Sequence, residues 1–138
     1  GATGRRDAFL RKFPDYQRVI PREGGRVVIA DRQVLRSALA RAGIVLNDKT
    51  TGIALQLEDW ILRAKARKSE QEEAVEEVEI NCSGGAMEIG FNVTYLLDAL
   101  GALNGELAKL SFSDAASSCL LEEAEGYGGK HVIMPMRL

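Results

Sequence analysis

The sequence contains few of the residues that bind metal ions or cross-link a chain. Its 138 residues include two cysteines, Cys82 and Cys119, and one histidine, His131. The cysteines lie far apart and form no Cys-x-x-Cys pair, so neither a zinc cluster nor a disulfide framework is indicated. We therefore expect no metal and no cofactor, and this cysteine usage favours a reducing, cytoplasmic compartment.

Long apolar runs and an excess of positive charge are also lacking. No stretch of about 18 apolar residues is present, and the first residues lack the apolar core of an export signal, so no membrane association is expected. The net charge is −2. Because nucleic acid is bound mainly by lysine and arginine, any contact with DNA has to come from local charge placement. The hydrophobic fraction of 46% is that of an ordinary globular protein.

The residues that are present form a regular pattern from Arg26 onward. Residues 27–29 are predicted to form a short strand, and Asp31 after it is a candidate helix N-cap. Apolar residues then recur at helical spacing until Gly43, and they are Val34, Leu35, Ala38, Leu39 and Ala42. Three strands are predicted next, at 53–57, 60–64 and 74–81.

The second half of the chain repeats the same plan. A strand at 87–89 leads to Asn92 as N-cap and to a helical stripe of Tyr95, Leu96, Ala99, Leu100 and Leu103. From Asp31 to Asn92, and onward to Ala99 and Leu100, the two halves correspond at a constant offset of 61 residues. Further strands are predicted at 107–113, 117–123 and 131–136.

Neither copy of this unit can bury both a helix stripe and a sheet face by itself. We therefore predict one α+β domain, in which two helices pack on antiparallel sheet around a shared core. The domain is assigned to residues 13–138. Residues 1–12 show no clear periodicity and are interpreted as a lead-in, either an expression remnant or an interdomain segment.

Candidate catalytic residues are scarce. His131 and the acidic run at 70–77 could form a small enzyme site, and this is the alternative to a binding function. His131 precedes an apolar run, however, which favours a structural histidine. The cysteines fall in a predicted strand or directly after one, where thiols are usually buried and inert. The acidic run lacks EF-hand spacing, so a solvated edge or a docking face for a basic partner is favoured over a metal site.

Three stretches of the sequence resemble a known protein family. They are residues 13–21 (FPDYQRVIP), 87–100 (MEIGFNVTYLLDAL) and 132–138 (VIMPMRL). In order and spacing they resemble the third, C-terminal domain of the bacterial DNA sliding clamp, the beta subunit of DNA polymerase III. The resemblance runs from about Phe13 to Leu138 and implies a doubled β-α-β-β-β unit, in agreement with the repeat. It also implies a non-catalytic subunit of the replicative polymerase.

The resemblance implies a pocket for short linear peptides with glutamine, leucine and phenylalanine anchors. The implied partners are the DNA polymerase III alpha subunit, the clamp loader delta subunit, other polymerases and repair proteins. Adaptable methionines and a rigid tyrosine suit several ligands, although from the residues alone Met134 and Met136 would be interpreted as alternating strand positions. The implied walls are Pro14, Arg18, Val19, Asn92, Tyr95, Ser118, Val132, Met134, Pro135, Met136, Arg137 and Leu138.

The resemblance further implies a subunit joint and a surface that faces DNA. Ile44 and Val45 match an apolar contact with the first domain of a partner subunit, beside an acidic strip of Glu70, Glu72, Glu73, Glu76 and Glu77. Arg32, Arg36 and Arg41 lie off the apolar stripe and would make sequence-independent phosphate contacts with duplex DNA. The full-length protein would be a homodimeric ring, which this chain alone is not expected to form.

One position departs from the family pattern. Thr50 stands where some relatives carry a large apolar pocket residue. A smaller side chain there would make one part of the peptide pocket roomier, which leaves the preferred peptide open.

Overall fold

The computed structural model describes residues 2–16, 25–113, 118–125 and 128–138. In these ranges the chain forms three α-helices, one short 3-10 helix and eight β-strands. The helices are α1 (Ala2–Lys12), α2 (Arg32–Ala42), the 3-10 helix (Gly43–Val45) and α3 (Val93–Ala102). The strands are β1 (Arg26–Asp31), β2 (Gly52–Glu58), β3 (Ile61–Ser69), β4 (Glu72–Ser83), β5 (Met87–Asn92), β6 (Leu107–Phe112), β7 (Cys119–Glu123) and β8 (His131–Ile133).

The eight strands form one antiparallel sheet in the order β5-β2-β3-β4-β1-β6-β7-β8. The two repeats exchange partners within it, because β1 pairs with β6 of the second repeat while β5 pairs with β2 of the first. This confirms the predicted α+β domain with an internally duplicated strand, helix and three-strand unit.

Both repeats start their helix with the predicted N-cap. The Asp31 carboxylate accepts a hydrogen bond from the backbone N–H of Val34 at 3.1 Å. The Asn92 side-chain oxygen accepts from the N–H groups of Thr94 at 2.9 Å and Tyr95 at 3.4 Å. These side chains satisfy donors that the first helical turn leaves free.

The helices bury one stripe each against the sheet. In α2 the stripe is Leu35, Ala38, Leu39 and Ala42, and in α3 it includes Leu96, Ala99 and Leu100. Val34 and Tyr95, which were predicted to start the stripes, are instead 42% and 61% exposed. They occupy the same position in the two repeats, one residue and thus about 100° away from the buried line.

Within the predicted lead-in of residues 1–12, Ala2–Lys12 form a helix, although this segment shows no clear apolar periodicity. Helix α1 packs on the sheet face opposite to α2 and α3 through Phe9 and Phe13, which cluster with Val27, Ile29 and Leu107. The rings of Phe9 and Phe13 are 5.2 Å apart. Because this contact rests on two aromatic residues four positions apart, no repeated apolar stripe was needed to form it.

The last strand is shorter than the predicted 131–136. Strand β8 pairs with β7 from His131 to Ile133, and Pro135 further on has no N–H to continue a ladder. The chain instead turns toward β5, where the Met136 N–H donates to the carbonyl of Gly90 at 2.8 Å.

Candidate partner-binding surface

Exposed apolar side chains are concentrated in the predicted site. Eight large apolar side chains are exposed in the part of the chain that the structure describes. Five of them belong to the predicted peptide pocket, and they are Tyr95, Val132, Met134, Met136 and Leu138. Because large exposed apolar groups mark interaction surfaces when they cluster, this surface is the strongest candidate for a binding site.

A groove of about 530 Å³ between α3 and β8 brings three predicted residues together, namely Tyr95, Val132 and Met134. Ala99 and Ile133, both buried, also line it. Sequence reasoning did not assign the remaining lining residues, Asp98, Ala102 and His131, to the pocket. Helical spacing could have found two of them, since Asp98 and Ala102 lie three and seven residues after Tyr95.

The segment 134–138 lies over the paired strands β5 and β2. A Cβ atom added at Gly90 would lie 2.5 Å from Leu138 Cγ and 2.7 Å from the Met136 carbonyl oxygen. One added at Gly52 would overlap Leu138 Cδ2. Two glycines therefore give the terminal segment its place next to the groove, while Pro135 is half-buried and Arg137 is exposed.

Asn92 serves the fold as well as the predicted pocket. Besides capping α3, its amide nitrogen donates to the Thr51 hydroxyl at 3.4 Å. The backbone N–H of Val93 donates to the Thr51 carbonyl at 2.9 Å. Asn92 thus anchors the start of the helix that carries Tyr95.

Pro14 lies in a turn that a hydrogen bond from Asn81 of β4 connects to the sheet. The Tyr16 N–H donates to the Phe13 carbonyl at 3.2 Å, and the amide of buried Asn81 donates to the Tyr16 carbonyl. Burial, together with a hydrogen bond to Glu125, raises the pKa of Tyr16 to about 12. Sequence reasoning did not single out Asn81, the one buried polar side chain among the described residues. The predicted wall residues Arg18 and Val19 lie outside the described residues.

Ser118 lies apart from the groove. It lines a second concavity, of about 610 Å³, on the face of β1, β6 and β7. Lys109 and Lys130 flank this concavity, and both approach the Glu122 carboxylate, at 3.8 and 3.7 Å. The described residues therefore do not join Ser118 to Tyr95 and Met134 in one cavity.

Ile44 at the predicted subunit joint is exposed, whereas most of the acidic strip beside it is already paired. Ile44 is 77% exposed, and Val45 is half-buried beside it. Four of the five predicted acidic residues have a cation within 4 Å: Glu70 with Arg67, Glu72 with Lys68, Glu76 with Arg41 and Glu77 with Arg63. Glu73 lies opposite Arg67 in the sheet register.

The acidic residues of β4 are also divided between its two faces. Glu76 lies on the helix side of the sheet, since its carboxylate contacts Arg41 of α2 at 2.7 Å. Glu73 and Glu77 lie on the other side, because side chains alternate along a strand. The Glu77 carboxylate contacts Arg63 at 2.8 Å there. The acidic residues that were predicted to form one strip therefore lie on opposite faces of the sheet.

The three predicted DNA-facing arginines all have partners within the chain. Arg32 donates to the carbonyls of Gly105 at 2.7 Å and Leu100 at 3.0 Å. Arg36 donates to the carbonyl of Leu97 at 3.2 Å, while Arg41 pairs with Glu76. Arg32 thereby satisfies the carbonyl of Leu100, one of the last four of α3, which an isolated helix leaves without partners.

Possible reactive groups are either buried or far apart. Burial raises the pKa of the Cys82 thiol to about 11 and that of Cys119 to about 12, so both are held as neutral thiols. His131 on β8 and the acidic run on β4 are separated by three intervening strands. Within the described ranges, no group of three or more His, Cys, Asp or Glu side chains could hold a metal ion.

The geometry by itself defines a class of protein. It is a duplicated α+β domain whose exposed apolar side chains gather around one groove and the terminal segment beside it. A family model described as the C-terminal domain of the DNA polymerase III beta subunit matches residues 17–137, and the chain belongs to this family of sliding clamp domains.

Similar proteins and solved structures support this family assignment. The beta sliding clamp of Pseudomonas aeruginosa is 50% identical over 127 residues, which cover 92% of this chain and 35% of that protein. The Escherichia coli K12 beta sliding clamp is 42% identical over the same share of each chain. The crystal structure of the P. aeruginosa DNA polymerase III subunit beta matches with a TM-score of 0.79 over 91% of this chain and 34% of that one. The chain thus spans about a third of the length of these relatives.

The three α-helices in the described ranges have 10 or 11 residues each. None of them is long and apolar enough to cross a bilayer.

Proposed function

We propose that this domain captures short linear peptides in the groove between α3 and β8 and thereby tethers partner proteins to a sliding clamp. The observation that carries the proposal is the gathering of exposed Tyr95, Val132 and Met134 around that one groove. The proposed partners are the DNA polymerase III alpha subunit, the clamp loader delta subunit, other polymerases and repair proteins. The domain acts without cofactor or catalysis, as part of a processivity factor.

The chemistry of the groove suits several apolar peptides better than one rigid ligand. Met134 is unbranched and polarizable, so it can adjust to differently shaped anchors, and Tyr95 offers a rigid ring with a polar end. Leucine and phenylalanine anchors would each bury apolar surface here, at about 25 cal/mol per Å². Glutamine would need the polar groups at the rim, which Asp98 and His131 supply.

We propose that Ile44 and Val45 form the ring joint in the full-length homodimer. Ile44 is 77% exposed and lies next to half-buried Val45, so both side chains would lose apolar surface to water-free contact if another subunit covered them. Of the acidic residues, Glu76 lies on the helix side of the sheet, while Glu73 and Glu77 would meet basic residues on the outer side. In the intact cytoplasmic protein this joint would close a ring around duplex DNA.

The arginines of α2 have a double role in this proposal. Arg36 and Arg41 remain exposed although they have partners within the chain. Their charge would favour DNA passing through the ring without any reading of sequence, because phosphate contacts carry no base information. Arg32 is half-buried and serves mainly the fold.

The rival proposal, a small enzyme site made from His131 and residues 70–77, has less support. The three strands between β8 and β4 separate these groups by roughly 19 Å at the usual strand spacing of about 4.8 Å. General acid and base groups need hydrogen-bond reach of one substrate.

Fluorescence anisotropy with a labelled peptide carrying glutamine, leucine and phenylalanine anchors tests the tethering proposal. We expect saturable binding that is lost when residues 134–138 are deleted and weakened by Tyr95→Ala. Val34→Ala is the matched control, because Val34 holds the repeat-equivalent exposed position and should leave binding unchanged. Equal weakening by both alanine variants would contradict the proposed location.

A further inference from the structure

The 134–138 segment of the proposed peptide site packs against Gly90, which has no side chain. Gly90 lies in β5 opposite Ala54 of β2, and its carbonyl accepts the Met136 N–H at 2.8 Å. An added Cβ would approach the Met136 carbonyl oxygen to 2.7 Å and Leu138 Cγ to 2.5 Å. Real Cβ contacts are never this short, so either the strand or the segment would have to move.

The need for glycine at this position comes from space and not from backbone conformation. Among the described residues, the glycines with positive φ are Gly84 and Gly85, and Gly90 is not one of them. An alanine could therefore adopt the local strand conformation of Gly90. What it could not do is share the space that the Met136 backbone occupies.

The first repeat shows what the same position does when it carries a side chain. The residue equivalent to Gly90 is Ile29, whose side chain packs in one cluster with Phe9 of α1 and with Phe13, which directly follows this helix. There β1 pairs with β4 through four residues, including Ile29 with Asn81. In the second repeat, the corresponding edge of β5 accepts one hydrogen bond, from the Met136 N–H to the Gly90 carbonyl. Met134 and Leu138 on either side of this bond stay exposed.

We propose that Gly90 is a positioning residue for the peptide site, which admits the Met136 backbone to β5 and so places Met134 at the groove. This rests on the proposed peptide-binding function. Gly90 itself does not touch the peptide. A side chain at position 90 would push the terminal segment off the strand and separate Met134 from Tyr95.

Three glycine variants of the chain separate backbone displacement from lesser effects. Gly90→Ala meets a backbone oxygen, whereas Gly52→Ala clashes with the end of the exposed Leu138 side chain, which can rotate away, and makes ordinary contacts with the end of Met136. Gly43→Ala is the control, since its Cβ would make an ordinary 3.5 Å contact with Val93. Circular dichroism of each variant confirms that the fold is retained.

We expect Gly90→Ala to weaken binding of the labelled peptide by about tenfold or more, the change expected when about 1.4 kcal/mol of contact is lost. Gly52→Ala should weaken it by less than about threefold, and Gly43→Ala should leave it unchanged. Adding Leu138→Ala to Gly90→Ala should not restore binding, because the clash with the Met136 oxygen persists. Wild-type affinity in folded Gly90→Ala would overturn the inference.

Hydrogen exchange at the Met136 amide tests the positioning independently of any peptide. We expect faster exchange in Gly90→Ala than in the wild type and no change in Gly43→Ala, because only the former breaks the bond to position 90. If the wild type bound no peptide, the proposed function would fail while this measurement still decided the placement. Unchanged exchange in Gly90→Ala would overturn the inference whatever the peptide does.

Discussion

Arg36 donates a hydrogen bond from Nε to the carbonyl of Leu97 at 3.2 Å, and the two residues hold the same position in the two repeats. Helices α2 and α3 therefore meet where the duplicated units face each other. Arg32, one turn earlier in α2, extends this contact to the carbonyls of Leu100 and Gly105. The arginines expected to serve DNA also join the two halves of the core.

Alanine variants of the three arginines should differ in stability in a fixed order. Arg32→Ala removes half-buried charge-assisted hydrogen bonds and should lower the free energy of unfolding by about 2 kcal/mol. Arg36→Ala removes one exposed bond and should cost about 1 kcal/mol. Arg41→Ala breaks a surface ion pair, worth about 0.5 kcal/mol or less. Urea unfolding measures all three.

The order of these losses is the informative result. If the arginines served only to contact DNA, the three variants would be equally stable in its absence. A loss for Arg41→Ala as large as that for Arg32→Ala would contradict the structural role assigned to Arg32.

The two helix caps allow a matched test, because the repeats use Asp31 and Asn92 at the same position. Asp31→Ala should lower the free energy of unfolding by about 1 kcal/mol through loss of the cap. Asp31→Asn keeps the capping oxygen and should cost less, losing only the 2.6 Å ion pair with Lys12. Thermal unfolding at pH 7 compares the two variants.

The pH dependence of Asp31 follows from its environment. Burial acts to raise the pKa of this carboxyl, but Lys12 and backbone N–H groups outweigh burial and hold the pKa below its usual value. Because the folded pKa is the lower one, the ionised carboxylate stabilises the fold above the unfolded pKa, and this contribution is lost as pH falls through the folded pKa. Asp31→Asn should therefore flatten the stability curve below about pH 4. If the stability of Asp31→Asn fell with decreasing pH as steeply as that of the wild type, this account would be contradicted.

Asn81 should contribute more to stability than an ordinary surface asparagine. Asn81→Ala removes the donor to the carbonyl of partly buried Tyr16 and should lower the free energy of unfolding by about 1 kcal/mol or more. Asn104→Ala is the control, since its side chain is exposed while its backbone makes the local contacts. Equal stability of the two variants would show that the turn carrying Pro14 is not held by Asn81.

The buried thiols predict a loss of stability in alkali. Burial raises the pKa of Cys82 to about 11 and of Cys119 to about 12, from an unfolded value of 9.0. Since the folded pKa values are the higher ones, this stabilisation is complete below pH 9 and falls as pH rises toward the folded values. Each thiol can contribute a slope of at most about 1.4 kcal/mol per pH unit.

Replacing both cysteines with alanine isolates their share of that slope. The double variant should unfold with a shallower pH dependence above pH 9, measured by urea titration at several pH values. An identical slope in the wild type and the double variant would mean that other groups determine how stability changes in alkali.

The sequence carried the features of this fold that depend on local pattern. The caps Asp31 and Asn92 and the repeat that contains them were predictable, because helix starts and apolar periodicity depend on residues that are close in sequence. Helix α1 was missed because it is held by tertiary packing of Phe9 and Phe13. The roles of Arg32 and Arg36 were missed because their acceptors are backbone carbonyls, which no side-chain pattern reveals.

The candidate site was also predictable only in part. The exposed residues of the groove, Tyr95, Val132 and Met134, were identified through a family resemblance and not through physical pattern. Ser118 lies at a different concavity, and the groove residues Asp98 and Ala102 became visible only when α3 was placed against β8. Pairing between distant elements decides which side chains share a cavity, and a single sequence does not contain that pairing.

Titration of the isotope-labelled chain with the glutamine, leucine and phenylalanine peptide, followed by NMR, tests the central claim most directly. The account predicts saturable chemical-shift changes at Tyr95, Val132 and Met134, with little change at Arg63 and Glu77 on the outer face of the β3–β4 hairpin. Shifts that cluster on that hairpin, or no saturable shift in the folded chain, would contradict the assignment of the groove as the partner-binding site.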